Sequence, residues 1–108
     1  IERAQMAVGQ ILTHLAKNKE DEQRLIPVSA DLSSMNEVSG LAQQVLNFKK
    51  PLDVLINNAG VYMKSKEMTV DGLEMTFAVN HLAPFLLSHL LIPHMRTLPH
   101  ARIINVSS

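Results

Sequence analysis

The longest periodic patterns in this chain are those of amphipathic helices. Apolar side chains recur at steps of three and four over residues 1–17 and again over residues 71–96, with polar residues between them. A third helical pattern can be capped by Ser33 or Ser34, and Glu37 stands three residues after Ser34, as a capping box requires. Pro84 lies inside the last pattern, so we expect that helix to be kinked there.

Short apolar runs separate these helices and predict three strands, at residues 24–30, 52–57 and 102–106. Pro27 weakens the first prediction, because a proline cannot donate a hydrogen bond to a neighbouring strand. The order of elements is therefore helix, strand, helix, strand, helix, strand. This order is typical of an α/β protein in which helices cover both faces of a parallel sheet.

The composition narrows the class of protein. Of the 108 residues, 46% are hydrophobic and 19% are charged, which is typical of a globular domain and not of a disordered chain. Ten lysines and arginines balance ten aspartates and glutamates, so the overall charge gives no reason to expect a nucleic acid or an anionic membrane surface as partner. The five histidines lack the spacing of paired ligands on one helix face, so we expect no metal.

The chain contains no cysteine, which excludes disulfides and thiolate metal sites and fits a reducing, intracellular location. Its longest apolar stretch, residues 82–92, is interrupted by polar residues and is too short to span a bilayer. An anchor outside these residues would be compatible with both observations. The sequence therefore leaves the location open.

Ligands of parallel α/β sheets bind beyond the carboxyl ends of the strands, where this chain places three polar segments. Asp31 could accept a hydrogen bond from an exocyclic amine such as that of adenine, although alone it is read first as a turn or capping residue. Asn57 begins the segment Asn-Asn-Ala-Gly, which is either a simple turn or a place where carboxamides join loops beside a ligand. Ser108, after the third strand, is either a turn residue or a hydroxyl that polarises a carbonyl.

Taken together, these segments resemble the short-chain dehydrogenase/reductase family. The family's Asn-Asn-Ala-Gly motif is matched by residues 57–60, its catalytic-helix asparagine by Asn80, its active-site serine by Ser108 and its adenine-contacting aspartate by Asp31. The motifs stand in the family's order and cover nearly the whole chain. The segment DGLEMTFAVNHLAPFLL is most similar to the retinol-dehydrogenase-like branch.

The resemblance implies an NAD(P)-dependent oxidoreductase that moves a hydride between nicotinamide and a carbonyl or alcohol carbon of a small molecule, with NADP slightly favoured. Asp31 and the backbone of Leu32 would then bind the adenine, and Asn57, Ala59 and Gly60 would border the cofactor riboses. In the catalytic part, the asparagine of the long helix would hold a water of a proton relay, and the final serine would orient the substrate.

The resemblance also implies a Rossmann-like three-layer fold, of which residues 1–108 would be a part cut at both ends, with strands three to five and their helices. In that sheet order the two missing strands lie between residues 24–30 and 52–57, so only 52–57 and 102–106 should be neighbours. We expect such a chain to be inactive alone, and either unstable or rearranged so that its first strand pairs beside its second. The parent protein would be a homo-oligomer.

Two motifs of the family are absent from the sequence. No glycine-rich Gly-x-x-x-Gly-x-Gly turn is present to hold a pyrophosphate, and no Tyr-x-x-x-Lys follows the active-site serine. Tyr62 and Lys66 have the right spacing, but they follow the Asn-Asn-Ala-Gly turn, where the family has a loop, so we do not expect them to be catalytic. Two alternatives stay open: a nucleotide-binding regulator or scaffold of the same family, and an unrelated α/β binding module.

Overall fold

Two parallel strands lie at the centre of the computed structural model, which describes residues 25–107. Strand β1 (Val54–Asn57) pairs with strand β2 (Arg102–Asn105), so that Val54 lies opposite Arg102 and Asn57 opposite Asn105. The prediction that these two runs are neighbours is therefore confirmed, with slightly shorter strands. The predicted helix over residues 1–17 and the residue Ser108 lie outside the described residues.

The strand predicted at residues 24–30 is wrong for the part that the structure describes. Residues 25–31 form no strand and lead into helix α1 (Met35–Asn47). A strand requires neighbouring strands for its backbone groups, and the sheet of the described residues contains β1 and β2 alone. Pro27 also removes one donor from the segment. The expected pairing of this segment beside β1 is likewise not found.

Helix α1 is capped by Ser34, one of the two predicted caps, and ends without a glycine. The Ser34 hydroxyl accepts a hydrogen bond from the Glu37 N–H (3.4 Å), which confirms the first half of the capping box. The Glu37 carboxylate instead accepts from the N–H of Asp31 (3.0 Å), and so holds the preceding turn. At the other end, Lys49 has a φ of 54° and terminates the helix in the left-handed conformation that usually favours glycine.

The long helix consists of three consecutive parts. Helix α2 (Met75–Phe77) continues into a π-helical turn (Ala78–Leu82) and then into helix α3 (Ala83–Met95). In the π turn the N–H of Ala83 donates to the carbonyl of Ala78, five residues back. The expected kink is therefore a widened turn, directly before Pro84, whose ring nitrogen cannot donate to the carbonyl of Asn80.

The helix starts four residues later than the predicted Asp71, because the Asp71 side chain is used elsewhere. Its carboxylate accepts from the N–H of Met35 (2.9 Å) at the start of α1. Gly72, with a φ of 74°, then turns the chain, and Glu74 caps the helix by accepting from the N–H groups of Thr76 (2.7 Å) and Phe77 (3.1 Å). These bonds, with the one from Thr76 first, lower the pKa of Glu74.

Helices α1 and α3 cover one face of the sheet. Ala42, Leu91 and Met95 form the buried centre of this layer, and Leu55 and Ile103 of the strands pack against it. The residues between them point to the other face, where Val54, Ile56 and Ile104 are 44%, 57% and 44% exposed. Parallel sheets of this class are normally covered on both faces, so this second face is apolar and open among the described residues.

The helix over Met75–Met95 is long and apolar enough to cross a membrane by length and composition alone. The prediction that the apolar stretch 82–92 is too short to span a bilayer is wrong on length, because the helix continues without interruption through the π turn. Leu91 and Met95 nevertheless pack against Ala42 of α1, as residues of a core helix do.

Candidate functional site

A pair of hydrogen bonds joins the carboxyl ends of the two strands to the long helix. The side-chain amide of Asn57 donates to the side-chain oxygen of Asn105 (2.9 Å) and to the hydroxyl of Ser88 (3.2 Å). An amide nitrogen carries two hydrogens, so both bonds can be made at once. Asn57 thus does join neighbouring elements, as the sequence suggested. Its partners were not predicted, although Asn105 occupies the matching position at the end of the other strand.

Asn80 lies in the π turn and holds the loop that follows β1. Its side-chain oxygen accepts from the N–H of Val61 (2.8 Å), and its side-chain nitrogen donates to the carbonyl of the same residue (2.9 Å). Both polar groups of the Asn80 side chain are therefore hydrogen-bonded to the backbone of Val61. Asn80 is therefore more than a polar residue on an exposed helix face, and no pattern in the sequence indicates Val61 as its partner. π turns within α-helices are frequent at functional sites.

The loop held in this way includes Gly60 and Tyr62. A side chain at Gly60 would begin 3.6 Å from the Asn80 side-chain oxygen, which is an ordinary contact distance. The absence of a side chain at Gly60 is therefore not required by the protein's own packing, and it leaves the backbone accessible. Tyr62 is 86% exposed and lies in the loop. Tyr62 and Lys66 therefore do not lie together on one face of a helix.

A cleft of about 670 Å³ opens between these strand ends and the long helix. Asn57, Asn80, Ser88 and Asn105 supply polar groups to it, and Ser107 lines it at the end of the described residues. The rest of its lining combines two histidines of the long helix, His81 and His89, with apolar residues of the helix and of β2, including Pro84, Phe85, Ile92 and Ile103. A cleft in which polar groups converge between apolar walls is the usual form of a small-molecule site.

A smaller hollow of about 110 Å³ lies next to the first and brings together two segments that are far apart in sequence. Leu32 lines it from the start of α1, and Asn57, Asn58 and Ala59 line it from the end of β1. Leu32, Asn57 and Ala59 are residues that the resemblance assigned to the adenine and ribose parts of a dinucleotide. The donor set and the small side chain of Ala59 fit a sugar or base edge at this position.

Asp31 does not line either hollow, and its side chain is engaged in a turn. One carboxylate oxygen accepts from the hydroxyl (2.6 Å) and from the N–H (2.9 Å) of Ser33. These bonds, the one from the hydroxyl first, lower the pKa of Asp31. The interpretation of Asp31 as a turn residue is therefore confirmed. Both bonds use the same oxygen, so an adenine amine would have to approach the other one.

Comparison with known proteins agrees with this architecture. The model of the short chain dehydrogenase family matches residues 1–108. Human retinol dehydrogenase 11 is 39% identical over 100 residues, which are 93% of this chain and 31% of that protein. Mouse retinol dehydrogenase 14 is 40% identical over 111 residues, with 98% of this chain and 33% of that protein covered. The chain thus spans about a third of the length of these curated relatives.

Solved structures show the same fold. A metagenomic short-chain oxidoreductase in complex with NADP superposes with a TM-score of 0.64 at 34% identity, over 75% of this chain and 38% of that one. The chain therefore belongs to the short-chain dehydrogenase family of oxidoreductases, with a Rossmann-type α/β fold, and it resembles the retinol-dehydrogenase-like branch.

Proposed function

We propose that this chain supplies the adenosine-binding edge and part of the catalytic face of an NAD(P)-dependent oxidoreductase that acts on a carbonyl or alcohol carbon. The observation that carries the proposal is the meeting of Asn57, Ala59, Gly60 and Asn80 at the carboxyl ends of two neighbouring parallel strands. The nicotinamide, when bound, would accept or donate the hydride. The chain's own residues would bind the cofactor, orient the substrate and hold part of a proton path.

In the cofactor part, Leu32 and Ala59 would border the adenosine from two sides of the smaller hollow, and the open backbone at Gly60 would lie against a ribose. Asp31 would offer its second carboxylate oxygen to the adenine amine. NADP is proposed over NAD because two of the matching solved structures were determined with NADP or NADPH. The glycine-rich turn that would hold the pyrophosphate is not in this sequence.

In the catalytic part, Asn80 would hold a water through its main chain. Its side-chain groups are already bonded to Val61, whereas its carbonyl oxygen has lost its usual α-helical donor because residue 84 is a proline. A carbonyl that lacks this donor, next to the cleft, is a suitable acceptor for a water in a proton relay. Ser108 would orient the substrate oxygen by a hydrogen bond from its hydroxyl.

The test compares two glycine-to-alanine variants of the purified protein. Gly60→Ala places a methyl group where the ribose is proposed to lie, whereas Gly40→Ala places one on α1 with nothing within 4 Å. We expect Gly60→Ala to weaken binding of NADP⁺ by roughly tenfold or more, as overpacking of a contact by one carbon does. Gly40→Ala should bind as the unaltered protein. Equal binding by all three proteins, measured by titration calorimetry, would contradict the ribose contact.

A nucleotide-binding regulator or scaffold of the same family is the alternative function. It would bind NADP⁺ with the same dependence on Gly60, but reduced nicotinamide would not be consumed when carbonyl substrates are added. Absorbance of the reduced nicotinamide in the presence of a panel of aldehydes and ketones, measured on the longer parent protein because this chain is expected to be inactive alone, separates the two functions. Turnover that is lost when Ser108 is replaced by alanine would support the enzyme.

A further inference from the structure

The turn before α1 holds Asp31 by its N–H, its carbonyl and one of its two carboxylate oxygens. The N–H donates to the Glu37 carboxylate (3.0 Å), and the carbonyl accepts from the N–H of Ser34 (3.1 Å). The carboxylate oxygen Oδ1 accepts from the hydroxyl of Ser33 (2.6 Å) and from its N–H (2.9 Å). Among the described residues no hydrogen bond uses the second oxygen, Oδ2, so Asp31 is an exposed but fixed acceptor.

Asp31 directly precedes a residue that lines the smaller hollow. Leu32 lines this hollow from the start of α1, and Asn58 and Ala59 line it from the end of β1. A group that binds against Leu32 is within side-chain reach of Asp31, because consecutive Cα atoms are about 3.8 Å apart. Asp31 itself lies outside the lining, so its contact with a ligand depends on the orientation of the carboxylate. Ser33 determines that orientation, because both of its donors hold the same oxygen.

The free oxygen of an ionised carboxylate can accept a hydrogen bond but cannot donate one. The amino group at C6 of adenine is a donor, whereas the keto oxygen that replaces it in inosine is an acceptor. Two acceptors that face each other both lose a partner, so a site that holds a fixed acceptor rejects the keto purine. A carboxylate that rotates freely would discriminate less, since it could turn away from the keto oxygen.

We propose, on the basis of the cofactor site proposed above, that Ser33 is a positioning residue for the purine base. By holding Oδ1 of Asp31 it presents Oδ2 to a base that carries an amino group at C6. The same two donors determine what happens in Asp31→Asn. They require the amide oxygen at the place of Oδ1, so the amide nitrogen takes the place of Oδ2 and offers a donor. This variant should then prefer a keto purine, which a merely structural role of Ser33 does not predict.

The experiment titrates the purified full chain with adenosine and, separately, with inosine, which differs from adenosine in the keto oxygen at C6. The amide resonances of Leu32 and Ala59, followed by NMR, locate the bound nucleoside at the smaller hollow. We expect the unaltered protein to bind adenosine roughly tenfold more tightly than inosine, because the amino group gains a hydrogen bond to a charged acceptor and the keto oxygen leaves that acceptor unpaired. Asp31→Asn should bind inosine more tightly than adenosine.

Variants of Ser33 test the positioning role directly. Ser33→Ala removes the bond from the hydroxyl but keeps the N–H donor, so the preference for adenosine should fall by roughly threefold, as the loss of one hydrogen bond implies. Ser33→Thr keeps a hydroxyl and should retain the preference of the unaltered protein. The matched control is Ser39→Ala, which changes another serine, exposed on α1, and should also leave the preference unchanged.

The outcomes separate the role of Ser33 from the cofactor site itself. A reversed preference in Asp31→Asn, together with a preference that Ser33→Thr retains and Ser33→Ala weakens, supports the proposal. Equal affinities of the unaltered protein for adenosine and inosine, with shifts at Leu32 and Ala59, would overturn the role of Ser33 and leave the proposed cofactor site standing. So would an Asp31→Asn variant that still prefers adenosine, or an unchanged preference in Ser33→Ala. If neither adenosine nor NADP⁺ shifted these two resonances, the proposed cofactor site would fail and the role of Ser33 with it.

Discussion

Replacing Asn80 by alanine removes both hydrogen bonds that hold the main chain of Val61 to the π turn. A typical hydrogen bond contributes a net 0.5–1.5 kcal/mol, roughly, and both of these are at the solvent-exposed side of the loop, so the lower part of that range applies. Together they stabilise the closed loop by about 1–2 kcal/mol. The loop should therefore open about 5- to 30-fold more often in the variant, since about 1.4 kcal/mol corresponds to a factor of ten.

Hydrogen exchange at the amide of Val61 measures this opening directly, because that N–H donates to Asn80. We expect exchange to accelerate 5- to 30-fold, roughly, in Asn80→Ala, following the free energy above. In Asn80→Asp the amide keeps its acceptor, while the carboxylate faces the Val61 carbonyl, so global stability should fall with less acceleration at this amide. Gly60→Ala is the control in the same loop and should leave exchange unchanged. A wild-type exchange rate in Asn80→Ala would refute the two-bond argument.

Two other predictions concern the ends of α1. The bonds from Ser33 lower the pKa of Asp31, so their contribution to stability is complete above the ordinary aspartate pKa of about 3.9 and is lost as the pH falls through the lowered value. In Ser33→Ala the pKa of Asp31, followed by NMR, should rise toward the ordinary value, and an unchanged pKa would contradict the assignment. Lys49 has a positive φ, so Lys49→Gly should raise the free energy of unfolding by about 1 kcal/mol, as measured by urea denaturation. A decrease would show that contacts of the lysine outweigh backbone strain.

The sequence predicts what depends on local pattern and on the order of the elements. The cap of α1 at Ser34, the adjacency of β1 and β2 and the fold class follow from period, capping and motif order. The start of the long helix could not be predicted, because Asp71 reaches across 36 residues to Met35. Strand formation at residues 25–30 also depends on a partner and cannot be read from apolar content alone.

The candidate site was predicted as a set of residues but not as a set of contacts. Asn57 and Asn80 were identified, yet their partners Asn105, Ser88 and Val61 lie 19 to 48 positions away in sequence. Side-chain hydrogen bonds over such separations follow from the packing of the helix on the strands, and no periodic pattern in the sequence indicates them.

The π turn at Ala78–Leu82 also determines how the protein responds to a change in chain length. The turn holds one residue more than a regular α-helical turn, so deletion of one residue here would restore a regular α-helix and leave α2 and α3 in about the same relative orientation. The shortened helix would gain regular hydrogen bonds, but Asn80 would no longer face Val61. Deletion variants selected for stability alone would therefore accumulate at this turn and lose the loop geometry, and length variation should be rarer here than in the exposed loops.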